Sequence, residues 1–139
     1  PNCSFNRQCP GIDNCSMSER IEGGCFCGSI RYNFETKDYS SSNCHCSMCR
    51  RISGAAFVSW MAVPKSNFEY SQGEPKKLIS SSHGTRYFCK ECGTPVVCLL
   101  EEYPEYIYIT ICSLDRPEDF KPKGDMYTDE MLPWLEKNK

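Results

Sequence analysis

Residues Asn43–Arg51 read NCHCSMCRR, and the rest of the chain is best understood around this stretch. It places Cys44, Cys46 and Cys49 within six residues and ends in two arginines. Cysteine is often a small buried residue, but three so close together on a strand or a helix would point in different directions. One metal ion bound by all three sulfurs is the simplest common explanation. Zinc prefers thiolate ligands in a tetrahedron, and a site with three protein ligands keeps its fourth position open. The stretch therefore predicts an open zinc site.

Length and composition limit the classes of protein that the chain can belong to. Its 139 residues suit one ordinary domain, and its 40% hydrophobic content permits a packed core. A net charge of -2 gives no signature of nucleic-acid or membrane-surface binding. No apolar run approaches the roughly 18 residues of a membrane span, and the N-terminus has no apolar signal-peptide region. We therefore expect a cytoplasmic protein with no nucleic-acid or membrane partner.

The cysteine count is the exceptional feature of the composition. The chain has 12 cysteines, several of them in C-x-C and C-x-x-C pairs, which suit metal binding. A disulfide scaffold is the alternative, but it is typical of small secreted domains that lack a sufficient core. Metal ligation in a reducing compartment is therefore the favoured interpretation.

The polar segment 1–20 has no clear periodicity and is expected to be a cysteine-containing tail before a domain at 21–139. Cys3, Cys9 and Cys15 lie in this tail with five residues between each and the next. Exposed thiols on a loose segment are the simplest interpretation. A disulfide between two of them, or one thiol that reaches a metal, are the alternatives.

The domain itself shows short β-branched and aromatic segments, turn signals and almost no helical period, which predicts an all-β domain of antiparallel sheets. We expect a Ser-rich turn at Ser40–Ser42, a loop or turn at Ile52–Ala56, and a short helix within Thr128–Lys137 that Pro133 weakens. The expected strands are residues 29–34, 57–63, 68–70, 77–80, 85–88, 95–100 and 106–111.

Four further cysteines form two pairs, each followed by a glycine: Cys25 and Cys27 before Gly28, and Cys89 and Cys92 before Gly93. Glycine adopts a positive φ at low cost, which lets backbone N–H groups turn towards the thiolates. The triple ends instead in an arginine. The two pairs therefore predict one closed four-cysteine zinc site, whose binding energy would be folding free energy.

The fourth ligand of the triple is left open by the sequence. We expect His45 to point away from the ion, at the surface or behind the ligands, and His83 to be solvated. Cys98 and Cys112 lie in strand-like runs, where buried inert thiols are usual. A tail cysteine is a further candidate. If none of these binds, water or a substrate would fill the fourth position.

Three thiolates make zinc a weaker Lewis acid than three histidines would. Such a site suits holding an incoming thiol in its ionised form. Arg50 and Arg51 are predicted to offset the negative charge or to hold a carboxylate of the bound thiol. The alternative is that both arginines are solvated on a turn.

The cysteine motifs, taken together, resemble the glutathione-dependent formaldehyde-activating enzyme (GFA) family from about residue 23 to the C-terminal region. The motifs that carry the resemblance are Gly24–Gly28, Cys44–Arg50, Ser53–Phe57, Phe88–Gly93 and Ser113–Asp115. The resemblance implies an Mss4-like (β-tent) fold with two Zn²⁺ ions per chain. It places the structural zinc on the four paired cysteines and the catalytic zinc on Cys44, Cys46 and Cys49. It also implies a carbon–sulfur lyase whose partners are glutathione and formaldehyde.

Three features depart from the family pattern. The tail before Ile21 lies outside the usual domain. Cys112 stands where a glycine commonly precedes the Ser-Leu-Asp motif. No histidine is found near Asp125–Tyr127, where the family often has one. These departures bear on the substrate more than on the metal sites.

The leading hypothesis is a zinc-dependent lyase that adds a thiol, such as glutathione, to formaldehyde or another small carbonyl compound. A second hypothesis is a non-catalytic glutathione or zinc carrier, or a redox sensor, because ionised exposed thiols are prone to oxidation. A third is a structural zinc-binding interaction module, in which a fourth protein ligand would close the second site. Strand edges would permit an oligomer but do not demand one.

Overall fold

The computed structural model describes residues 20–136, so Cys3, Cys9, Cys15 and the rest of the predicted tail before Arg20 lie outside the described residues. Within that range the chain is mainly β, as predicted. No helix in this range is long and apolar enough to cross a membrane. The elements are β1 (Ile21–Gly24), β2 (Arg31–Phe34), β3 (Ser40–Cys44), α1 (Ser47–Ser53), β4 (Val58–Pro64), β5 (Phe68–Gln72), β6 (Lys76–Ile79), β7 (Gly84–Phe88), β8 (Pro95–Leu100), β9 (Tyr106–Thr110), β10 (Asp125–Met126) and α2 (Pro133–Glu136). Short 3-10 helices occupy Lys65–Asn67, Ile111–Ser113, Pro117–Asp119 and Thr128–Glu130.

The strands form two sheets. The smaller sheet has the order β1-β2-β5, and the larger has the order β10-β3-β4-β9-β8-β7-β6. The named strands pair antiparallel with one exception, which is the parallel pairing of β10 with β3. The purely antiparallel expectation is therefore wrong at this edge. Lys123 N donates to the carbonyl and hydroxyl oxygens of Ser41, at 3.2 and 3.0 Å, and brings the returning chain alongside β3.

The main core packs side chains of β2 against one face of the larger sheet. Tyr32 and Phe34, two residues apart, both point inward because side chains alternate along a strand. They are buried with Met61 of β4 and Ile109 of β9, and Phe68 stacks on Tyr32 with ring centroids 5.2 Å apart. The opposite face of the larger sheet does not take part in this core.

The opposite face carries a second, cysteine-rich cluster. Cross-strand partners share a face, and the pairs Arg86 with Cys98 and Trp60 with Thr110 lie on this side. Cys44 and Trp60 pack there with Cys98, and Cys49 of α1 packs onto them from above the sheet. The strand alternation thus separates an apolar core on one face from a thiol cluster on the other.

Two expectations about local structure are wrong. Ser40–Cys44 is strand β3 rather than a Ser-rich turn, because pairing with both β4 and β10 overrides the turn preference of serine. Ser47–Ser53 is helix α1, which was not predicted and which includes Ile52 and Ser53 of the loop expected at Ile52–Ala56. Cys46 caps its start by accepting from Cys49 N, and Gly54 ends it at a φ of 70°. The C-terminal helix was expected, but Pro133 begins α2 rather than weakening it, as the first turn of a helix allows.

The Ser113-Leu114-Asp115 motif joins the two sheets. Asp115 accepts from both terminal nitrogens of Arg31 at 3.0 and 2.5 Å. Ser113 Oγ lies 2.5 Å from the hydroxyl of Tyr32. Leu114 is buried and forms an isolated antiparallel bridge with Gly23 of β1. The motif thereby fixes the small sheet to the end of β9.

Gly23→Ala is expected to destabilise this junction. A Cβ atom at Gly23 would lie 2.6 Å from Tyr32 Cζ and 2.7 Å from the carbonyl oxygen of Ser113. We expect a loss of about 1–3 kcal/mol in the free energy of unfolding, the usual cost of overpacking. Urea unfolding measures this loss. Gly124→Ala is the matched control, because a Cβ there meets nothing within 4 Å. Equal stability of the two variants would contradict the proposed junction.

Candidate functional site

The four paired cysteines meet at one end of the two sheets. Their Sγ atoms all lie within 4.8 Å of one another, although Cys27 and Cys89 are 62 residues apart in sequence. The separation is 3.7 Å between the sulfurs of Cys25 and Cys27, and 3.8 Å between those of Cys27 and Cys89. Four sulfurs at the zinc distance of about 2.3 Å in a tetrahedron would lie about 3.8 Å apart. The donor set and its spacing therefore fit zinc.

The backbone around these pairs has the geometry that the glycines predict. Gly28 and Gly93 have φ values of 84° and 86°. Ile30 N donates to Cys25 Sγ at 3.3 Å, and Glu91 N donates to Cys89 Sγ at 3.3 Å. Such donors stabilise negative charge on sulfur. A hydrogen bond to the hydroxyl of Thr94, with a sulfur–oxygen distance of 3.2 Å, helps lower the pKa of Cys92 to about 5.

The second group consists of Cys44, Cys46 and Cys49, which the end of β3 and the start of α1 bring together. Their Sγ atoms also lie within 4.8 Å of one another. Cys44 and Cys49 are buried, whereas Cys46 is half-buried. The hydrogen bond between Cys44 and Cys49 lowers the pKa of Cys49 to about 5, and it raises the pKa of Cys44. The pair thus holds a negative charge that a cation would neutralise.

Arg86 and Trp60 complete the surroundings of Cys49, and the sequence did not identify either as a site residue. The two terminal nitrogens of Arg86 donate to Cys49 Sγ at 3.6 and 3.7 Å. Its guanidinium carbon lies 5.9 Å from the ring centroid of Trp60. Hydrogen bonds from Trp60 and Arg86 also help lower the pKa of Cys49. The local sequence offered no signal for Arg86, because it meets Cys49 across 37 residues of sequence.

The candidates for a fourth ligand that lie in the described residues, His45, His83, Cys98 and Cys112, do not join the three sulfurs. In the part of the chain that the structure describes, the group has three members. Cys98 packs beside Cys44 and Cys49 but lies outside this group. It is buried as expected, and burial raises its pKa. Cys112 is exposed on a 3-10 turn, so the expectation of a buried thiol there is wrong, because strand β9 ends at Thr110.

The two histidines differ in their surroundings. His83 is exposed, as expected. His45 is only 2% exposed, so the interpretation that it lies at the surface is wrong. Its Nε2 lies 2.9 Å from a carboxylate oxygen of Asp125. Met126 O accepts from His45 N, which ties β10 to the thiol-bearing turn.

The two arginines that follow the triple lie in the last turn of α1. Arg50 Nε donates to the carbonyl oxygen of His45 at 3.2 Å and so supports the turn between Cys44 and Cys46. Arg51 is exposed. A contact of either arginine with a glutathione carboxylate stays a prediction.

A mainly β fold with one group of four thiols and one of three defines a class of small cysteine-rich proteins whose thiol groups could hold metal ions. Comparison with known proteins identifies the family: residues 20–130 match the model of the glutathione-dependent formaldehyde-activating enzyme family, and the chain belongs to that family.

The relatives agree with this assignment at low sequence identity. An uncharacterized lyase of Schizosaccharomyces pombe is 27% identical over 129 residues, which cover 80% of this chain and 93% of the relative. A Halomonas elongata protein that carries the name of a glutathione-dependent formaldehyde-activating enzyme is 23% identical, over 84% of this chain and 80% of its own length. A crystal structure of a Rhodobacter sphaeroides protein shares the fold. It has a TM-score of 0.63 and 21% identity, and the match covers 76% of this chain and 99% of that one.

Proposed function

We propose that the protein is a zinc-dependent carbon–sulfur lyase that joins a thiol, such as glutathione, to formaldehyde or another small carbonyl compound. The observation that carries this proposal is the three-thiol group, which has no fourth protein ligand in the described residues. A closed group would suit a structural module instead. The lyase name of one relative and the glutathione-dependent name of the other support the reaction class.

The two thiol groups are proposed to hold one zinc ion each. Cys25, Cys27, Cys89 and Cys92 would hold a structural ion, and Cys44, Cys46 and Cys49 would hold the catalytic one. Zinc at the three-thiol group would supply a positive charge that keeps an incoming thiol ionised near neutral pH.

The residues around the three-thiol group prepare it for this role. Arg86 donates to Cys49 Sγ and balances part of the thiolate charge. Arg50 and the Asp125–His45 contact fix the turn that carries the first two sulfurs. The reaction forms a bond between the thiol sulfur and the carbonyl carbon, and it moves the thiol proton to the carbonyl oxygen. It needs no oxidant or reductant.

Exchange spectroscopy by proton NMR tests the proposal. It measures rates at equilibrium, which is necessary because glutathione and formaldehyde also combine without an enzyme. We expect zinc-loaded protein at catalytic concentration to accelerate exchange between glutathione and its hydroxymethyl adduct. The adduct concentration at equilibrium should stay unchanged. A protein that binds glutathione stoichiometrically without accelerating exchange would be a carrier, and the lyase proposal would then be wrong.

A further inference from the structure

A pocket with a volume of about 330 Å³ lies beside the residues that surround Cys49. Trp60 and Arg86 belong to both, since they line the pocket and also contact Cys49. Ile52 of α1, Leu78 of β6 and Phe88 of β7 form other parts of the wall. Ligand pockets start at roughly 300 Å³, whereas formaldehyde has only two non-hydrogen atoms. The pocket is therefore far larger than formaldehyde needs.

The lining of the pocket combines an apolar wall with one positive charge. Among the described residues that line the pocket, Arg86 is the only charged one, and the others are mostly aliphatic or aromatic. An apolar wall favours an aliphatic or aromatic ligand body through removal of surface from water. A single arginine favours one carboxylate, to which it can donate a charge-assisted hydrogen bond.

Arg86 has hydrogen-bonding capacity left for such a group. A guanidinium has five N–H donors. Nε donates to Ser80 Oγ at 3.2 Å, and the two terminal nitrogens donate to Cys49 Sγ at 3.6 and 3.7 Å. Among the described residues, no carboxylate forms an ion pair with Arg86. One N–H group thus remains on each terminal nitrogen, and because the two groups point to opposite sides of the guanidinium, a carboxylate accepts from one of them.

The short distance between Arg86 and Cys49 limits where the carboxylate can lie on the ligand. A carboxylate on Arg86 would sit next to the thiol group at which the carbonyl carbon reacts. The carboxylate and the reacting carbon must therefore be neighbours in the ligand. A carboxylate at the far end of an aromatic ring would not reach both Arg86 and the thiol group.

We propose that the carbonyl substrate of this site is a 2-oxo acid with an apolar or aromatic side chain, whose carboxylate binds Arg86 and whose side chain fills the pocket. This inference rests on the proposed function for the identity of the reacting group. In the reaction the thiol sulfur bonds to the 2-oxo carbon, the carbon–oxygen double bond becomes single, and the thiol proton ends on that oxygen.

Calorimetric titration of the zinc-loaded protein tests the proposal with four probes that differ in one feature each. Phenylglyoxylate has the aromatic body and the adjacent carboxylate. Benzaldehyde lacks the carboxylate, 4-carboxybenzaldehyde carries it at the far end of the ring, and glyoxylate lacks the aromatic body. We expect phenylglyoxylate to bind on the order of tenfold to hundredfold more tightly than each of the others, as hydrogen bonds to charged groups and apolar burial allow. Equal binding of phenylglyoxylate and benzaldehyde would overturn the proposal.

Two pairs of variants assign the effect to the pocket. Arg86→Gln should remove the advantage of phenylglyoxylate over benzaldehyde, whereas Lys77→Gln removes an exposed charge from β6 and should keep it. Leu78→Trp should weaken phenylglyoxylate but not glyoxylate. Ile79→Trp is its control, because Ile79 is 69% exposed and does not line the pocket. Zinc content is measured for every variant, so that a lost metal is not taken for a lost contact.

An unchanged preference in zinc-loaded Arg86→Gln would show that the ligand binds without this arginine, and it would overturn the assignment. The lyase proposal fails separately. Accelerated glutathione–formaldehyde exchange together with no preference for phenylglyoxylate would leave the lyase standing and refute the 2-oxo acid. Tight phenylglyoxylate binding that depends on Arg86, without any thiol exchange, would refute the lyase and keep the pocket assignment.

Discussion

Cys89→Ser is expected to leave the chain without a stable folded state. Cys89 is 1% exposed, and its sulfur contacts that of Cys27 across 62 residues of sequence. Structural zinc sites contribute about 10–16 kcal/mol in zinc-finger peptides near neutral pH, which matches or exceeds the about 5–15 kcal/mol stability of a whole domain. Losing one of four sulfurs should therefore abolish the cooperative thermal transition in circular dichroism.

Cys112→Ser makes the same chemical change at an exposed thiol outside both groups. We expect its free energy of unfolding to stay within about 0.5 kcal/mol of the wild type, as for most surface substitutions. A Cys89→Ser protein that melts cooperatively at the wild-type temperature would show that the four-cysteine group does not hold the fold together.

Cys46→Ser is expected to do the opposite: it should abolish turnover and keep the fold. Cys46 is half-buried and caps α1, where its sulfur accepts from Cys49 N at 3.3 Å. Serine is among the preferred residues at this position, so its hydroxyl oxygen can take over the cap. The substitution thus removes a metal ligand without removing the helix cap. We expect thiol–aldehyde exchange to fall by on the order of 100-fold or more, since even partners behind the ligands cost 10–100-fold.

The exchange rate and the melting temperature are measured on the same Cys46→Ser sample. Retained folding with lost exchange is the expected result. Exchange at the wild-type rate in a protein that lacks this sulfur would contradict the role of the three-thiol group. Cys112→Ser again serves as the control, since it should change neither quantity.

Much of the fold followed from the sequence because its signals are local. Strands β8 and β9 are β-branched and aromatic runs, and the structure places them close to the expected residues. The grouping of the cysteines also followed, since a glycine after a ligand pair needs a positive φ, and Gly28 and Gly93 both have one. The sequence predicted one group of four sulfurs and one of three, and the structure brings the same seven sulfurs together in these two groups.

The remainder depended on contacts between distant residues. β3 was missed because its Ser-rich sequence favours a turn, and only pairing on both sides makes it a strand. α1 was missed because cysteine is not a usual helix cap. Arg86 could not be assigned to the site, since it meets Cys49 only through the register of β7 with β8. The contact of His45 with Asp125 could not be predicted, because the two residues are 80 positions apart in the sequence.

The number of zinc ions per chain shows whether the three-thiol group is a metal site of its own. Elemental analysis is performed on wild type and on Cys46→Ser, both purified under reducing conditions. We expect two zinc ions per chain in the wild type and one in the folded variant, because the four-cysteine group keeps its ion when the three-thiol group loses a sulfur. A single zinc ion in both proteins, with no second ion taken up when zinc is added, would contradict the open zinc site.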